Sequence, residues 1–224
     1  MRWGTGSFRW VRSLQQVLCL FDGATLDLSV GDGIVAGNIT SGHRFHAGDD
    51  FEVTGFTDYR DKLRAAHVMI DAAERRDIIE AGAVKLAEAE GLTLADDPAL
   101  LDEVSGLVEW PVPLIGTIDA DFMEVPGEAL TSAMRNHQKY FSLLNADGSL
   151  AQRFVVVANL VAPDGGKQIT AGNERVLRAR LSDARFFWDQ DRKIRLEERV
   201  PALDKIVFHA KLGTLGEKIT RVQT

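Results

Sequence analysis

The sequence holds a single cysteine, Cys19, among 224 residues. An intramolecular disulfide framework is therefore excluded, and the scarcity fits a reducing compartment. Long apolar runs are missing too. The longest near the start, Val17-Leu18-Cys19-Leu20-Phe21, falls far short of the roughly 20 residues a membrane span needs. It is also short for a signal-peptide core, and Gln15-Gln16 interrupt the approach to it. The expectations are a cytoplasmic protein and no membrane partner. Low-complexity tracts and internal repeats are missing as well, which argues against a solenoid or a linker-like chain.

Familiar catalytic signatures are absent. Gly31-Asp32-Gly33-Ile34-Val35-Ala36-Gly37 is not a GxGxxG loop, and Gly213-Thr214-Leu215-Gly216-Glu217-Lys218 lacks the phosphate-loop spacing. No GxSxG is present. Cys19 sits in an apolar run, which suits burial better than nucleophilic work. The residues form no self-contained catalytic constellation.

What is present is ordinary globular material. The chain is 45% hydrophobic and 26% charged, which excludes disorder or a collagen-like chain. At about 150 residues per domain the length suits one large domain or two small ones. The net charge of −7 taken whole argues against a nucleic-acid partner. Its distribution changes that reading. Residues 1–110 carry 10 Lys/Arg and 19 Asp/Glu, whereas residues 111–224 carry 16 and 14. The acidic excess is confined to the first half, and residues 175–199 hold eight Lys/Arg with acids between them.

Patterning predicts α+β: helices mixed with a mostly antiparallel sheet. Residues 25–53 read as short strands and loops, 59–66 as a short helix and 67–70 as a buried strand. A helix is predicted over 72–90, with Ile79, Ala83, Leu86 and Ala89 on its stripe and Gly91 stopping it. Asp97-Pro98 opens the next, with Leu100, Leu101, Val104 and Leu107 inward and Pro111 ending it. The prolines of the strand-like 112–116 stretch place it at a sheet edge or a strand start. Pro126 opens a helix to about 135. Tyr140–Leu144 and Phe154–Ala158 flank Asn145-Ala146-Asp147-Gly148, a hairpin pattern. Asn173 caps a long helix to about 190, and Pro201 opens a last one. The expected division is an α+β domain over 1–165 and a helical segment over 166–224.

Three segments carry candidate chemistry. Gly42-His43-Arg44-Phe45-His46 offers a metal pair, a phosphate or RNA contact, or a polar structural loop. A metal needs a third ligand, and none stands at a recognisable spacing. Arg135-Asn136-His137-Gln138-Lys139-Tyr140 gathers donors at a helix end. Cations there answer the helix dipole, or Arg135, His137 and Lys139 meet phosphate or an unpaired base. On a helix, Arg175, Arg178 and Arg185 fall within about 80° of each other. They form either a charged outer face or an RNA-facing stripe. Arg180 points elsewhere, toward pairing with Asp183 or Glu174. Val176, Leu177, Leu181, Ala184 and Trp188 face inward, and Phe186 and Phe187 join the core.

Several stretches together resemble the β subunit of the bacterial heterotetrameric glycyl-tRNA synthetase. They are Met1-Arg2-Trp3, Gly42-His43-Arg44-Phe45-His46, Leu107-Val108-Glu109-Trp110-Pro111, His137-Gln138-Lys139-Tyr140-Phe141, and the specific string from Ala171 to Ala184, AGNERVLRARLSDA. Phe208-His209-Ala210-Lys211-Leu212-Gly213-Thr214-Leu215 continues the series. Ser41 departs from the pattern, standing where Arg is expected, and Trp110 occupies a position that takes either aromatic. The resemblance implies a B3/B4-like synthetase domain, of the type seen in the phenylalanyl-tRNA synthetase β subunit, and an internal fragment of a longer chain. It implies a non-catalytic role in tRNA recognition and in assembly with the α subunit. That subunit would use ATP and Mg to join glycine to its tRNA, with no cofactor held in this segment. The alternatives are a purely structural scaffold, or an editing domain that hydrolyses mischarged tRNA. Editing has little motive for the smallest amino acid, since larger ones are excluded sterically.

Overall fold

The structure, a computed structural model, describes residues 6–11, 14, 16–31 and 33–223. Met1-Arg2-Trp3 lies outside the described residues. Short strands come first: β1 (Val17–Leu18), β2 (Leu20–Phe21), β3 (Ala24–Thr25), β4 (Ser29–Gly31), β5 (Ile34–Gly37), β6 (Ile39–Ser41) and β7 (Asp50–Glu52). They make small sheets, antiparallel except where β1 runs parallel to β5. Then follow α1 (Phe56–Ala65), α2 (Ala72–Ala89), β8 (Thr93–Leu94), α3 (Pro98–Ser105), β9 (Val112–Thr117) and α4 (Gly127–Ala133). After β10 (Phe141–Leu144) and β11 (Leu150–Ala158) comes the long α5 (Lys167–Asp191). A 3-10 stretch (Leu196–Lys205), β12 (Val207–His209), β13 (Gly213–Thr214) and α6 (Leu215–Gln223) follow.

The main body is an antiparallel sheet in the order β8-β10-β11-β9, so the class is α+β. Its strands alternate between two cores, as period-2 side chains must. Ala151 and Val155 of β11 join Phe141 and Leu143 against Ile79, Ala83 and Ala87 of α2 and Leu100, Leu101 and Val104 of α3. On the opposite face Phe154 and Val156 meet Leu130, Met134, Tyr140, and Leu177 and Leu181 of α5. The β10–β11 hairpin appears where the Asp-Gly turn placed it, and β9 lies on the sheet edge, a position that suits Pro113. Gly116 of β9 stands opposite Phe154 in register. The Phe154 ring lies across it, leaving no space for a Cβ at 116.

Several local expectations are corrected. Residues 67–70 are not a strand. The amide of Val68 bonds back to Leu63 and that of Met69 to Glu109, and Arg75 donates to the Met69 carbonyl, so their backbone groups turn away from any ladder. On α2, Ala87 rather than Ala89 is buried. Helix α3 stops at Gly106, before Pro111, and Leu107 lies past its end and exposed. The helix opened at Pro126 becomes a wider π turn over Met134–Gln138, closed by Lys139 in the left-handed region (φ 60°).

Asn173 does not cap α5; it lies well inside it. The helix begins after Gly166, where the Asp164 carboxylate accepts the amides of Gly166 and Gln168, both at 2.9 Å. From there Leu177 and Leu181 reach back into the sheet core. Pro201 falls inside the 3-10 stretch rather than opening a helix. The last helix instead starts with a reciprocal cap: Thr214 accepts the Glu217 amide at 3.2 Å while Glu217 accepts the Thr214 amide at 2.7 Å. Among the described residues no helix is long and apolar enough to cross a membrane.

Candidate functional site

The two histidines of the 42–46 loop are built into a joint between four chain segments. Gly42 is required there, because a Cβ would approach the Ala47 carbonyl oxygen and the Ala66 Cβ to 2.5 Å each. His43 is buried. Its Nε2 lies 2.5 Å from the Asn159 carbonyl oxygen, and its Nδ1 accepts the Phe45 amide at 3.3 Å. A carbonyl can only accept, so His43 is the neutral Nε2–H tautomer. His46 is fixed the other way, its Nε2 accepting the Val161 amide at 3.0 Å. The Asn159 side chain then accepts the amides of Glu109 and Trp110 at 2.7 and 2.9 Å.

The rings continue as a column. His43 and His46 centroids are 4.8 Å apart, His46 and His67 4.7 Å, and His67 and Trp110 4.9 Å. Desolvation, followed by the neighbouring His43 and His67, holds His46 below the ordinary histidine pKa. His67 sits at φ 60°, and its buried Nδ1 has no hydrogen-bond partner among the described residues. Both nitrogens of His43 and the Nε2 of His46 are committed to backbone groups, and His46 and His67 lie ring on ring, so the histidines do not converge on a cation. Among the described residues no group of three or more His, Cys, Asp or Glu could hold a metal ion. Of this loop, Arg44 and Phe45 face outward, the guanidinium 5.7 Å from the ring centre.

The second candidate group is paired. Arg135 forks onto Asp97 at 2.5 and 3.2 Å. Asp97 also caps α3 through the Leu100 amide at 2.9 Å. The Arg135 hydrogen bonds hold the Asp97 carboxyl below the usual carboxylate range. Lys139 reaches Glu103 at 2.8 Å. His137 is exposed.

The arginine helix divides into two sets. Arg178 grips Asp119 at 2.5 and 3.1 Å. Arg185 donates to the Asp121 carbonyl at 2.5 Å and to Glu124 at 3.1 Å, with Asp189 at 3.9 Å. Both therefore hold the 119–124 loop against α5. Arg175 and Arg180 are exposed and make no ion pair among the described residues. The pairing expected for Arg180 is thus corrected: Glu174 accepts the Thr117 amide at 2.8 Å instead. Phe186 and Phe187 are not core. They are 57% and 64% exposed and touch each other edge to face at 5.5 Å. Val176 is exposed too, whereas Trp188 packs on the core. Asn173 works as a tie, its Oδ1 accepting the Tyr140 hydroxyl at 2.6 Å. Burial pushes the Tyr140 phenol up to about 12.

The residues that sequence reasoning missed are the acceptors. Asp97, Glu103, Asp119, Glu124 and Asn159 decide what each candidate cation or histidine can do. They stand 36 to 116 positions away from their partners, beyond the reach of any spacing rule. The acidic run Asp119, Asp121 and Glu124 was the one available signal for a complement to the arginines.

A family model described as glycyl-tRNA synthetase beta subunit matches residues 1–224. The chain belongs to the glycyl-tRNA synthetase β-subunit family. It is 53% identical over 246 residues to the glycine–tRNA ligase β subunit of Rhodospirillum centenum, covering 100% of this chain and 34% of that one. With the corresponding subunit of Phenylobacterium zucineum it shares 49% over 222 residues, 98% of this chain and 33% of the other. For Cereibacter sphaeroides the identity is 49% over 230 residues, 100% and 33%. The chain thus spans about a third of the length of these curated relatives. Within the family frame, the string from Ala171 to Ala184 is the part of α5 that both enters the core at Leu177 and Leu181 and clamps the 119–124 loop through Arg178.

Proposed function

We propose that this chain is a non-catalytic portion of a glycyl-tRNA synthetase β subunit, serving assembly with the α subunit and contributing to tRNA recognition. Glycine activation with ATP and Mg belongs, on this reading, to the α subunit. The observation that carries it is the split of α5. Arg178 and Arg185 are committed to the 119–124 loop, while Arg175, Arg180 and the Phe186–Phe187 pair remain on the outer face. Cations free of carboxylates can neutralise phosphate, and exposed aromatics can stack or dock.

A graft tests it. This sequence replaces the matched third of the Rhodospirillum centenum β subunit, and the hybrid is assembled with the α subunit. Glycylation of tRNA is expected. Arg175→Glu with Arg180→Glu should raise the tRNA KM about three- to tenfold with kcat kept, an effect of lost binding rather than lost chemistry. An assembled hybrid without glycylation removes the assignment. An unchanged tRNA KM removes the RNA role and leaves assembly alone.

That narrower, structural reading has its own observation. Arg135, Lys139, Arg178 and Arg185 all end on acidic side chains of this chain, which suits bracing more than RNA contact.

A further inference from the structure

Residues 192–223 are folded without a core. They are well bonded locally: the Leu215 amide donates to the Ile206 carbonyl at 2.8 Å, the Arg221 guanidinium donates to the Leu212 carbonyl at 2.8 Å, and the Lys218 ammonium stands 4.1 Å from the centre of the Phe208 ring. Helix α6 packs on the 3-10 stretch and on the β12–β13 hairpin, so these pieces form one unit. None of the 32 residues is buried. Leu196 is 81% and Val207 72% exposed, and Ile194, Val200, Leu212 and Val222 are exposed beside them. Apolar burial is the main favourable term in folding, and a unit lacking it is one half of an interface.

We propose that this unit is the docking face for the part of the synthetase β chain that the longer relatives carry beyond the third matched here. The inference rests on the assembly reading above. Four arguments select this occupant. The exposed groups are mostly aliphatic, which cannot stack on bases, and RNA interfaces are polar and strongly charged. Residues 192–223 carry eight Lys/Arg and four Asp/Glu, so a two-fold contact between copies would set basic face against basic face. The occupant instead presents apolar side chains rimmed by carboxylates. The relatives are about three times as long, which supplies ample chain. A neighbour on the same polypeptide covers the face at high effective concentration, whereas a face of this character left open until a separate subunit arrives invites aggregation.

Hydrogen exchange read by mass spectrometry tests the assignment, comparing the 224-residue chain with the grafted full-length β chain, neither with α subunit nor tRNA. Amides of residues 196–223 should exchange at least about 100-fold more slowly in the grafted chain, as expected when a locally opening segment joins a cooperative unit. Leu196→Glu with Val207→Glu should abolish that protection in the graft and leave the melting midpoint of the 224-residue chain unchanged. Three results overturn the proposal. Exchange stays fast in the graft; or protection arises only on adding α subunit or tRNA; or it arises in the 224-residue chain as its concentration is raised, the mark of a second copy. Glycylation by the graft is scored separately, so this proposal and the functional assignment fail independently.

Discussion

The Nε2 of His43 donates to the Asn159 carbonyl oxygen across 2.5 Å, joining positions 116 residues apart. One imidazole thereby pins the 42–47 loop to the strand end that leaves the main sheet. Replacing it with phenylalanine keeps the volume and removes the donor. His43→Phe should cost about 1–3 kcal/mol, the usual price of leaving a poorly hydrated acceptor unmet. Urea denaturation against the unsubstituted chain reads the difference, and an unchanged midpoint would show the contact to be incidental.

His46 predicts a pH dependence. Its pKa is lowered in the folded chain, mainly by desolvation and then by His43 and His67. The neutral form is therefore the folded one, and protonation would also spoil the acceptor for the Val161 amide. The unfolded chain takes up the proton first as pH falls. Stability contributed by this group is complete above the ordinary histidine pKa, about 6.5, and is lost as pH drops from there toward the depressed folded value. Urea midpoints at pH 7.5 and 5.5 should differ more for the parent chain than for His46→Gln. Equal slopes would sink the idea.

Gly116→Ala should be poorly tolerated. The new methyl would meet the Phe154 ring, and overpacking of a filled core costs about 1–3 kcal/mol. Thermal unfolding checks this. A second variant, Gly116→Ala with Phe154→Leu, should recover part of the loss, because the ring is what the methyl strikes.

Leu181→Ala tests whether α5 belongs to the sheet core. The residue is fully buried against it, so the loss should be about 2–5 kcal/mol. Far-UV dichroism and near-UV signals of the sheet should melt together at a lower temperature. A helix signal that changes while the sheet transition stays fixed would separate the two.

Arg178 and Asp119 form a charge pair that can be reversed. Both side chains are substantially exposed, so the pair contributes at most about 1 kcal/mol. Arg178→Glu should lower the midpoint slightly, and Asp119→Lys added to it should restore it. Were Arg178 instead an RNA contact, tRNA KM in the grafted enzyme would rise and the compensating lysine would not bring it back.

The parts of the fold legible in the sequence are those whose cause is local. The β10–β11 hairpin follows from two β-rich runs around Asn145-Ala146-Asp147-Gly148. The start of α3 follows from Asp97 accepting the Leu100 amide ahead of Pro98. Residues 67–70 had strand-like side chains, but their amides bond to a helix end and a distant loop. Asn173 had the side chain of a cap, yet Asp164, nine positions earlier, does the capping. Phe186 and Phe187 are apolar without being buried, because apolar character reports what a residue would cover and not whether the cover is present. At the candidate site the sequence located the cations and histidines. Their acceptors came together only through tertiary folding, and those acceptors separate a brace from an open binding group.

Helix α5 finally sets a phase relation. It leaves the core with Leu177, Leu181 and Trp188 inward and leads without a break to Asp191. Each residue of an α-helix advances the chain by 1.5 Å and turns it by about 100°. Deleting one residue between Leu181 and Trp188 would swing everything after it by about that angle while shortening the rod hardly at all. The direction in which the last thirty-odd residues leave the core is thus set by the number of residues in the helix, and the Arg199–Asp191 pair at 3.5 Å and the Arg192 guanidinium, 5.6 Å from the Trp188 ring centre, brace that exit.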